Sequence, residues 1–172
     1  YPLRFGYNKA KEIKGKLNTW WNSLYFLVTY AKIDDWTPEN ISQDSDNILD
    51  KWLMARLNQL ILKVEQSFKN IETEKAVSQF DKFLDDLSNW YIRRSRRRFW
   101  KESQEKDKLD AYSTLYKALK ISARVMAPFF PFFTENIFRT LKAENDPISV
   151  HLTDYPQVET SAIDEQLIDQ MA

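Results

Sequence analysis

The residues with the most evident chemistry lie between positions 89 and 101, where arginines and aromatic side chains are interspersed. Five arginines and one lysine lie within nine consecutive positions there, together with Phe99 and Trp100. A guanidinium group binds phosphate through paired hydrogen bonds and also stacks on nucleobases. Because aromatic side chains stack on bases as well, this run favours an RNA-binding surface.

Helical spacing separates these cations into two rows. Arg93, Arg97 and Lys101 follow one another at four-residue intervals, and we expect them on the exposed side of a helix as a row of phosphate contacts. Arg96 is a further RNA-binding candidate in the same run. A solvated helix end is the simpler alternative, since the helix dipole favours cations near a C-terminus. The dipole accounts for one or two cations, however, and not for five arginines.

The second row consists of Arg94 and Arg98, which continue the apolar stripe of the same helix. Burying an unpaired charge costs on the order of several kcal/mol. We therefore expect the helix to extend past its bundle, so that Arg94 and Arg98 contact phosphate or a neighbouring domain. Trp100 or Phe99 is then the candidate for stacking on a base.

Catalytic and metal-binding chemistry has little support elsewhere in the chain. His151 is the only histidine and there is no cysteine, which leaves too few ligands for a zinc site and no thiol nucleophile. Gly6 and Gly15 are the only glycines, so dinucleotide-binding and P-loop sites, which need glycine-rich loops, are excluded. The paired carboxylates at 34–35 and 85–86 fit helix ends and ion pairs better than acid–base catalysis. We predict no catalytic, cofactor or metal site in the chain.

The elements that must position the arginine run are helices. Apolar residues recur at helical spacing and predict helices over Lys9 to Ala31, Asp46 or Asn47 to Phe68, Thr73 to about Lys101, Asp107 to Met126, and Pro131 to about Leu141. Ser45 or Asp46 is the expected N-cap of the second helix. Four long amphipathic helices and a short fifth predict an all-α antiparallel bundle. Alternation of apolar and polar residues over 148–153 predicts a short extended segment after it.

The length of 172 residues suits one domain. We expect residues 1–8 to form the tail of a connection from a preceding domain, 9–145 to form the bundle, and 146–172 to hold the extended segment and begin a further region. Because the chain starts with Tyr1 and a helical repeat runs to its end, we expect a piece of a longer protein. The formal charge is zero, so a local basic patch must supply any RNA affinity. No apolar run in the sequence suits a membrane span. The absence of cysteine fits a cytoplasmic protein.

Short segments along nearly the whole chain carry a family resemblance. They are Pro2-Leu3-Arg4-Phe5, Trp21-Asn22 with Phe26 and Tyr30-Ala31, Asp50-Lys51-Trp52 with Arg56-Leu57, the nine residues from Asp86 to Arg94, Arg97-Arg98-Phe99-Trp100, Ala127-Pro128-Phe129 with Pro131-Phe132 and Glu135, and Ser149-Val150-His151-Leu152. Together, and in this order, they resemble the anticodon-binding domain of isoleucyl-tRNA synthetases. The Trp-Tyr dipeptide is common to several members of the class I subgroup for Ile, Val, Leu and Met. The arginine-rich continuation after it is similar to the isoleucyl branch, whereas valyl enzymes typically place Leu-Glu there.

The resemblance implies a helical bundle that binds the anticodon stem-loop of isoleucine-specific tRNA. It would also set the angle at which the acceptor end enters the catalytic domain of the same chain. The whole enzyme would be cytoplasmic and would join isoleucine to tRNA with ATP and Mg²⁺, with its zinc content left open. The ATP-binding motifs and the editing domain of this family are absent from these 172 residues. The chain itself is therefore expected to be non-catalytic and to need no cofactor.

Two alternatives remain open at this point. The chain could be the anticodon-binding domain of a valyl enzyme, which the charging specificity of the whole protein would separate. It could instead be a helical protein-interaction module whose arginine-rich helix end docks an acidic partner. Binding to polyanions in general, without preference for tRNA, would favour that second alternative.

Overall fold

The computed structural model describes residues 6–42, 44–101, 105–159 and 163–171, which form an antiparallel bundle of helices. The α-helices are α1 (Tyr7–Ile33), α2 (Ile48–Lys69), α3 (Thr73–Asp85), α4 (Arg93–Phe99), α5 (Lys106–Met126), α6 (Pro131–Thr140) and α7 (Glu165–Gln170). A π-helical segment (Asp86–Ile92) joins α3 to α4, and 3-10 turns cover Pro38–Asn40 and Val150–Leu152. The described residues contain no strand, which confirms the predicted all-α class. The segment Pro2-Leu3-Arg4-Phe5 and residues 102–104 lie outside the described residues.

The core lies where the apolar stripes of α1, α2, α3 and α5 meet. Its fully buried aromatic side chains include Trp20, Phe80, Phe99 and Tyr112. Trp20 meets Phe80 edge to face with ring centroids 4.6 Å apart, and Phe99 meets Tyr112 in the same way at 4.9 Å. One buried stripe on each helix is the arrangement that the helical periodicity predicted. Across the described ranges, every helix is too short or too polar to span a lipid bilayer.

Three apolar residues that helical spacing groups with the buried rows of α1 and α2 lie at the rim of the core instead. Trp21 and Val28 of α1 flank the buried row and remain partly exposed, and Phe68 lies in the last turn of α2 with about half of its surface in solvent. The rings of Phe68 and Phe129 meet edge to face, with a centroid distance of 5.8 Å. Residues at helix ends and at the edges of an apolar stripe have fewer neighbours in the core. Helical periodicity alone does not show which of these residues remain exposed to solvent.

The helix that carries the arginine run continues without a break from α3 into α4 but changes its winding in the π-helical segment. A π-helix forms i→i+5 hydrogen bonds and therefore places more residues in each turn than an α-helix. The buried side of the helix shifts as a result. Arg98 and Phe99 follow Tyr91 on the inner side, whereas Arg94 is exposed. Extrapolation of a uniform α-helix places Arg94 and Arg98 together, and the structure separates them.

The helix α2 begins at Ile48 and is capped by Asn47, so the predicted N-caps Ser45 and Asp46 were two residues and one residue too early. The Asn47 Oδ1 atom accepts the N–H of Leu49 at 3.0 Å, and Nδ2 donates to Asp107 Oδ1 at 2.9 Å. Ser45 has an equally suitable side chain for capping, but its hydroxyl donates to Asp50 at 2.6 Å. Contacts with distant residues therefore decide which of several adjacent capping residues is used.

The segment predicted to be extended over 148–153 contains a 3-10 turn at Val150–Leu152. The hydroxyl oxygen of Ser149 accepts the N–H of His151, and Val150 is buried against Ala127 and Phe138. One buried residue between exposed neighbours produces the same alternation as a strand, which is why the pattern suggested one. Beyond this turn the chain follows α2, where the Tyr155 hydroxyl donates to the Ile61 carbonyl at 3.1 Å.

Candidate nucleic-acid interface

Four arginines of the run form one exposed surface on α4, which we term the arginine face: Arg93, Arg94, Arg96 and Arg97. Within the part of the chain that the structure describes, none of the four lies within ion-pair distance of a carboxylate, whereas Arg98 does. The α-helical backbone of α4 spaces the four side chains over little more than one turn. Their positive charge is therefore concentrated and uncompensated, although the whole chain has a formal charge of zero.

Arg98 lies inside the bundle and is only 7% exposed. Its Nη1 and Nη2 atoms donate to the two carboxylate oxygens of Asp50 at 2.7 and 2.6 Å, and Nη2 also lies 2.9 Å from Asp107 Oδ1. The expected role of Arg98 changes as a result. Arg98 is held by a carboxylate of the same chain, so we remove it from the residues expected to contact phosphate or a neighbouring domain.

The partner of Arg98 is an acidic residue on the inner face of α2. Asp50 is 1% exposed and also accepts hydrogen bonds from the hydroxyls of Tyr91 and Ser45, each at 2.6 Å. Burial raises the pKa of Tyr91 well above its ordinary value, and the adjacent Asp50 charge adds to this. Burial by itself lowers the pKa of Arg98, but the hydrogen bonds and charge of Asp50 outweigh burial and raise it. The carboxylate of Asp50 therefore stabilises the charged form of Arg98.

Arg94 is held in place by an aromatic ring. Its guanidinium carbon lies 3.7 Å from the centroid of the Trp90 ring, and Trp90 in turn contacts Trp52 of the core at 6.4 Å. A cation stacked in this way on tryptophan gains roughly 0.5–1 kcal/mol at an exposed site. The stack orients the guanidinium before any ligand arrives, and it leaves the opposite face of Arg94 open to solvent.

The three remaining candidates lie at the end of α4. Phe99 is buried against Phe26, with ring centroids 5.0 Å apart, so its ring is not available to stack on a base. Trp100 is 56% exposed and donates its indole N–H to the Tyr30 hydroxyl at 2.7 Å. Lys101 lies beyond the last residue of the helix and pairs with Glu105 at 3.1 Å. Trp100 therefore stays a stacking candidate, and the row that begins at Arg93 ends at Arg97.

Sequence reasoning did not identify Asp50 as a functional position, although a signal was present. Asp50 precedes Leu53 and Leu57 at the spacing of one helix face, so an acidic residue belongs to the apolar stripe of α2. A carboxylate on that face requires a buried cation, and Arg98 occupied the corresponding face of another helix. The two unsatisfied charges could have been matched to each other.

Other features of the described residues do not suit a nucleic acid or a metal. A cavity of about 850 Å³ between α2, α5 and the C-terminal residues is lined by six carboxylates and only two lysines, which disfavours a phosphate backbone. No group of three or more His, Cys, Asp or Glu side chains in the described ranges is arranged to hold a metal ion. His151 is exposed, with Nε2 3.3 Å from the Pro131 carbonyl.

Comparison with known proteins gives a consistent result. Residues 50–172 match the model of the family described as the anticodon-binding domain of tRNA ligase. The chain is 46% identical over 151 residues to the isoleucine–tRNA ligase of Dehalococcoides mccartyi strain 195, covering 86% of this chain and 15% of that protein. It is 41% and 39% identical over 175 residues to the isoleucine–tRNA ligases of Clostridium novyi and Clostridium tetani, covering 99% of this chain and 17% of each. The chain thus spans about one sixth of the length of these relatives.

Proposed function

The chain belongs to the family of anticodon-binding domains of tRNA ligases, and we propose that it binds the anticodon stem-loop of isoleucine tRNA within an isoleucine–tRNA ligase. The similar proteins from Dehalococcoides and Clostridium are isoleucine–tRNA ligases, which supports isoleucine over valine as the amino acid. The observation that carries RNA binding is the arginine face, where exposed guanidinium groups have no carboxylate partner among the described residues.

The arginine face suits the RNA backbone on electrostatic grounds. Each phosphate carries one negative charge, and a cation that contacts it releases bound counterions, so affinity depends strongly on salt. Arg94 presents a pre-oriented guanidinium, and the exposed ring of Trp100 offers a stacking surface at the end of the same helix. Phosphate contacts and stacking together are the features that proteins use to bind single-stranded loops.

In this proposal the domain positions tRNA and carries out no chemistry of its own. A catalytic domain elsewhere in the same chain would bind ATP with Mg²⁺ and join isoleucine to the tRNA, and residues 1–8 would connect it to the bundle formed by 9–145. Residues 146–172 would begin the region that follows. We place the whole enzyme in the cytoplasm, which the lack of cysteine supports.

A competition experiment separates tRNA binding from general docking to an acidic partner. A labelled isoleucine tRNA transcript is bound to the chain and followed by fluorescence anisotropy, with unlabelled tRNA and polyglutamate as competitors. We expect tRNA to displace the label at a concentration at least tenfold lower, on a per-charge basis, than polyglutamate. Equal competition would instead support a protein-interaction module. Charging of isoleucine rather than valine by the whole enzyme tests the choice of amino acid.

A further inference from the structure

A second group of cations lies in the groove between α2 and α3, away from the arginine run. The two helices form an antiparallel hairpin, and Arg56 of α2 contacts Asp86 at the end of α3 through Nε and Nη2 at 2.6 and 2.5 Å. This pair sets the register of the hairpin. Lys63 is two turns further along the same face of α2, and Lys82 is one turn before Asp86 on the facing helix. Lys82 therefore lies between the levels of Arg56 and Lys63.

The charges in this groove are not balanced. Arg56 is compensated by Asp86, and its Nη1 atom donates to Gln59 at 2.5 Å. Lys63 and Lys82 have neither a hydrogen bond nor an ion pair to any residue that the structure describes, although Lys63 is half-buried. Burial lowers the pKa of Lys63, and the charges of Arg56 and Lys82 lower it further; Glu165 of α7 counteracts this only in part.

A half-buried lysine beside other cations stabilises a fold poorly, because the charge is partly desolvated and repelled by its neighbours. An uncharged side chain of similar length at position 63 would avoid both costs. Groups that weaken a fold in this way are found where a ligand supplies the missing opposite charge. A phosphate group carries the negative charge that these two lysines lack.

We propose that Lys63 and Lys82 bind a phosphate of the RNA backbone and form a second contact site beyond the arginine face. This inference rests on the proposed RNA-binding function. Lys82 precedes Arg93 by eleven positions on one unbroken helix, which corresponds to about 16 Å at the α-helical rise per residue. The tRNA interface would then extend along the helix from α4 to the α2–α3 groove, instead of ending at the arginine run.

The test compares two double substitutions in the same hairpin. Lys63→Gln/Lys82→Gln removes the proposed phosphate site. Lys69→Gln/Lys75→Gln removes the same charge from the same two helices, but those lysines already pair with Glu65 and Glu72 at 2.6 Å. Binding of an isoleucine tRNA transcript is measured for both variants over a series of salt concentrations, and thermal melting is recorded by circular dichroism.

We expect Lys63→Gln/Lys82→Gln to reduce the slope of log K against log salt by about 0.7–0.9, the value for one lost phosphate contact, while its melting temperature stays the same or rises. The control variant should keep the slope of the original chain. If both variants bind tRNA with an unchanged slope, the second site is refuted and the proposed function stands. If the original chain does not bind tRNA at all, the proposed function fails and this site fails with it.

Discussion

The two sides of α4 carry the same residue type in two different environments. Arg98 is buried, and its charge is compensated by Asp50, which accepts hydrogen bonds from both of its Nη atoms. Arg97, which directly precedes it, and Arg93 are exposed and lack a carboxylate partner among the described residues. A run of arginines is thus divided by the fold into one that stabilises the bundle and several that remain free to bind a ligand.

The difference is one of energetics as well as position. Removing one partner of a buried ion pair leaves an uncompensated charge and costs roughly 3–5 kcal/mol. Substituting an exposed arginine that has no partner changes stability by about 0.5 kcal/mol at most. The buried side of α4 should therefore control folding, and the exposed side should control binding. Substitutions on the two sides can test whether this division is complete.

The largest effect is expected for Asp50→Asn. The substitution preserves the shape of the side chain but leaves Arg98 buried without an anion, so the free energy of unfolding should fall by roughly 3–5 kcal/mol. Urea denaturation followed by circular dichroism measures it, with Arg93→Gln as the control from the exposed side. The double variant Asp50→Leu/Arg98→Met removes both charges and should be more stable than Asp50→Asn. A change below 0.5 kcal/mol for Asp50→Asn would contradict the division.

Trp90→Ala should have an intermediate effect, because Trp90 belongs to both sides. Its ring contacts Trp52 in the core and supports Arg94 on the surface. Truncating a fully buried tryptophan to alanine lowers the free energy of unfolding by about 3–5 kcal/mol. Because Trp90 is half-buried, we expect a loss of about 2 kcal/mol. Affinity for tRNA should also fall a few-fold, as Arg94 loses its support. In Trp90→Phe, which retains an aromatic ring, the losses of stability and of tRNA affinity should both be smaller. An unchanged thermal melting curve for Trp90→Ala would place the residue outside the core.

Alkaline pH should reduce the stability that the buried ion pair and its neighbour Tyr91 contribute. Burial, together with Asp50, raises the pKa of Tyr91 in the folded protein, whereas a tyrosine in the unfolded chain ionises near pH 10. Below about pH 10 both states are protonated and the stability is fully present. As the pH rises further, the unfolded state alone loses the proton, and this tyrosine should reduce stability by about 1.4 kcal/mol per pH unit.

The variant Tyr91→Phe isolates that contribution. Its free energy of unfolding should decline less steeply above pH 10 than that of the original chain, by about 1.4 kcal/mol per pH unit. Tyr25→Phe is the matched control, because Tyr25 is 66% exposed on α1. Equal slopes for all three proteins in denaturation curves recorded between pH 9 and 11 would show that Tyr91 is accessible to solvent.

The smallest effect on stability is expected on the arginine face. Arg93→Gln/Arg97→Gln should alter the free energy of unfolding by less than about 0.5 kcal/mol but reduce the slope of log K for tRNA against log salt by about 1.4–1.8, since each lost phosphate contact removes about 0.7–0.9. Arg139→Gln/Lys142→Gln removes two exposed cations from the end of α6 and its following turn as a control. Unchanged affinity and slope in the first variant would move the RNA contacts elsewhere on the bundle.

The helices and the basic character of the interface were predictable because both are local properties. Apolar residues at helical spacing indicate which elements form, and the bounds of α5 and α6 lie within a residue of the predicted ones. The density of arginines between 93 and 98 is likewise visible without a fold. What these patterns predict depends only on residues that are neighbours along the chain.

The assignment of each arginine to a role depended on residues far away along the chain. The π-helical segment shifts the buried side of the helix so that Arg98 lies within it and Arg94 lies outside it, and Asp50, 48 positions earlier, supplies the carboxylate that makes the burial of Arg98 favourable. The groove that brings Lys63 and Lys82 together likewise exists only because α2 and α3 fold against each other. A charged side chain is stabilised or left available according to the partners that surround it in space. Spacing along one helix shows that a charge on an apolar stripe needs a partner, but not where another helix places that partner.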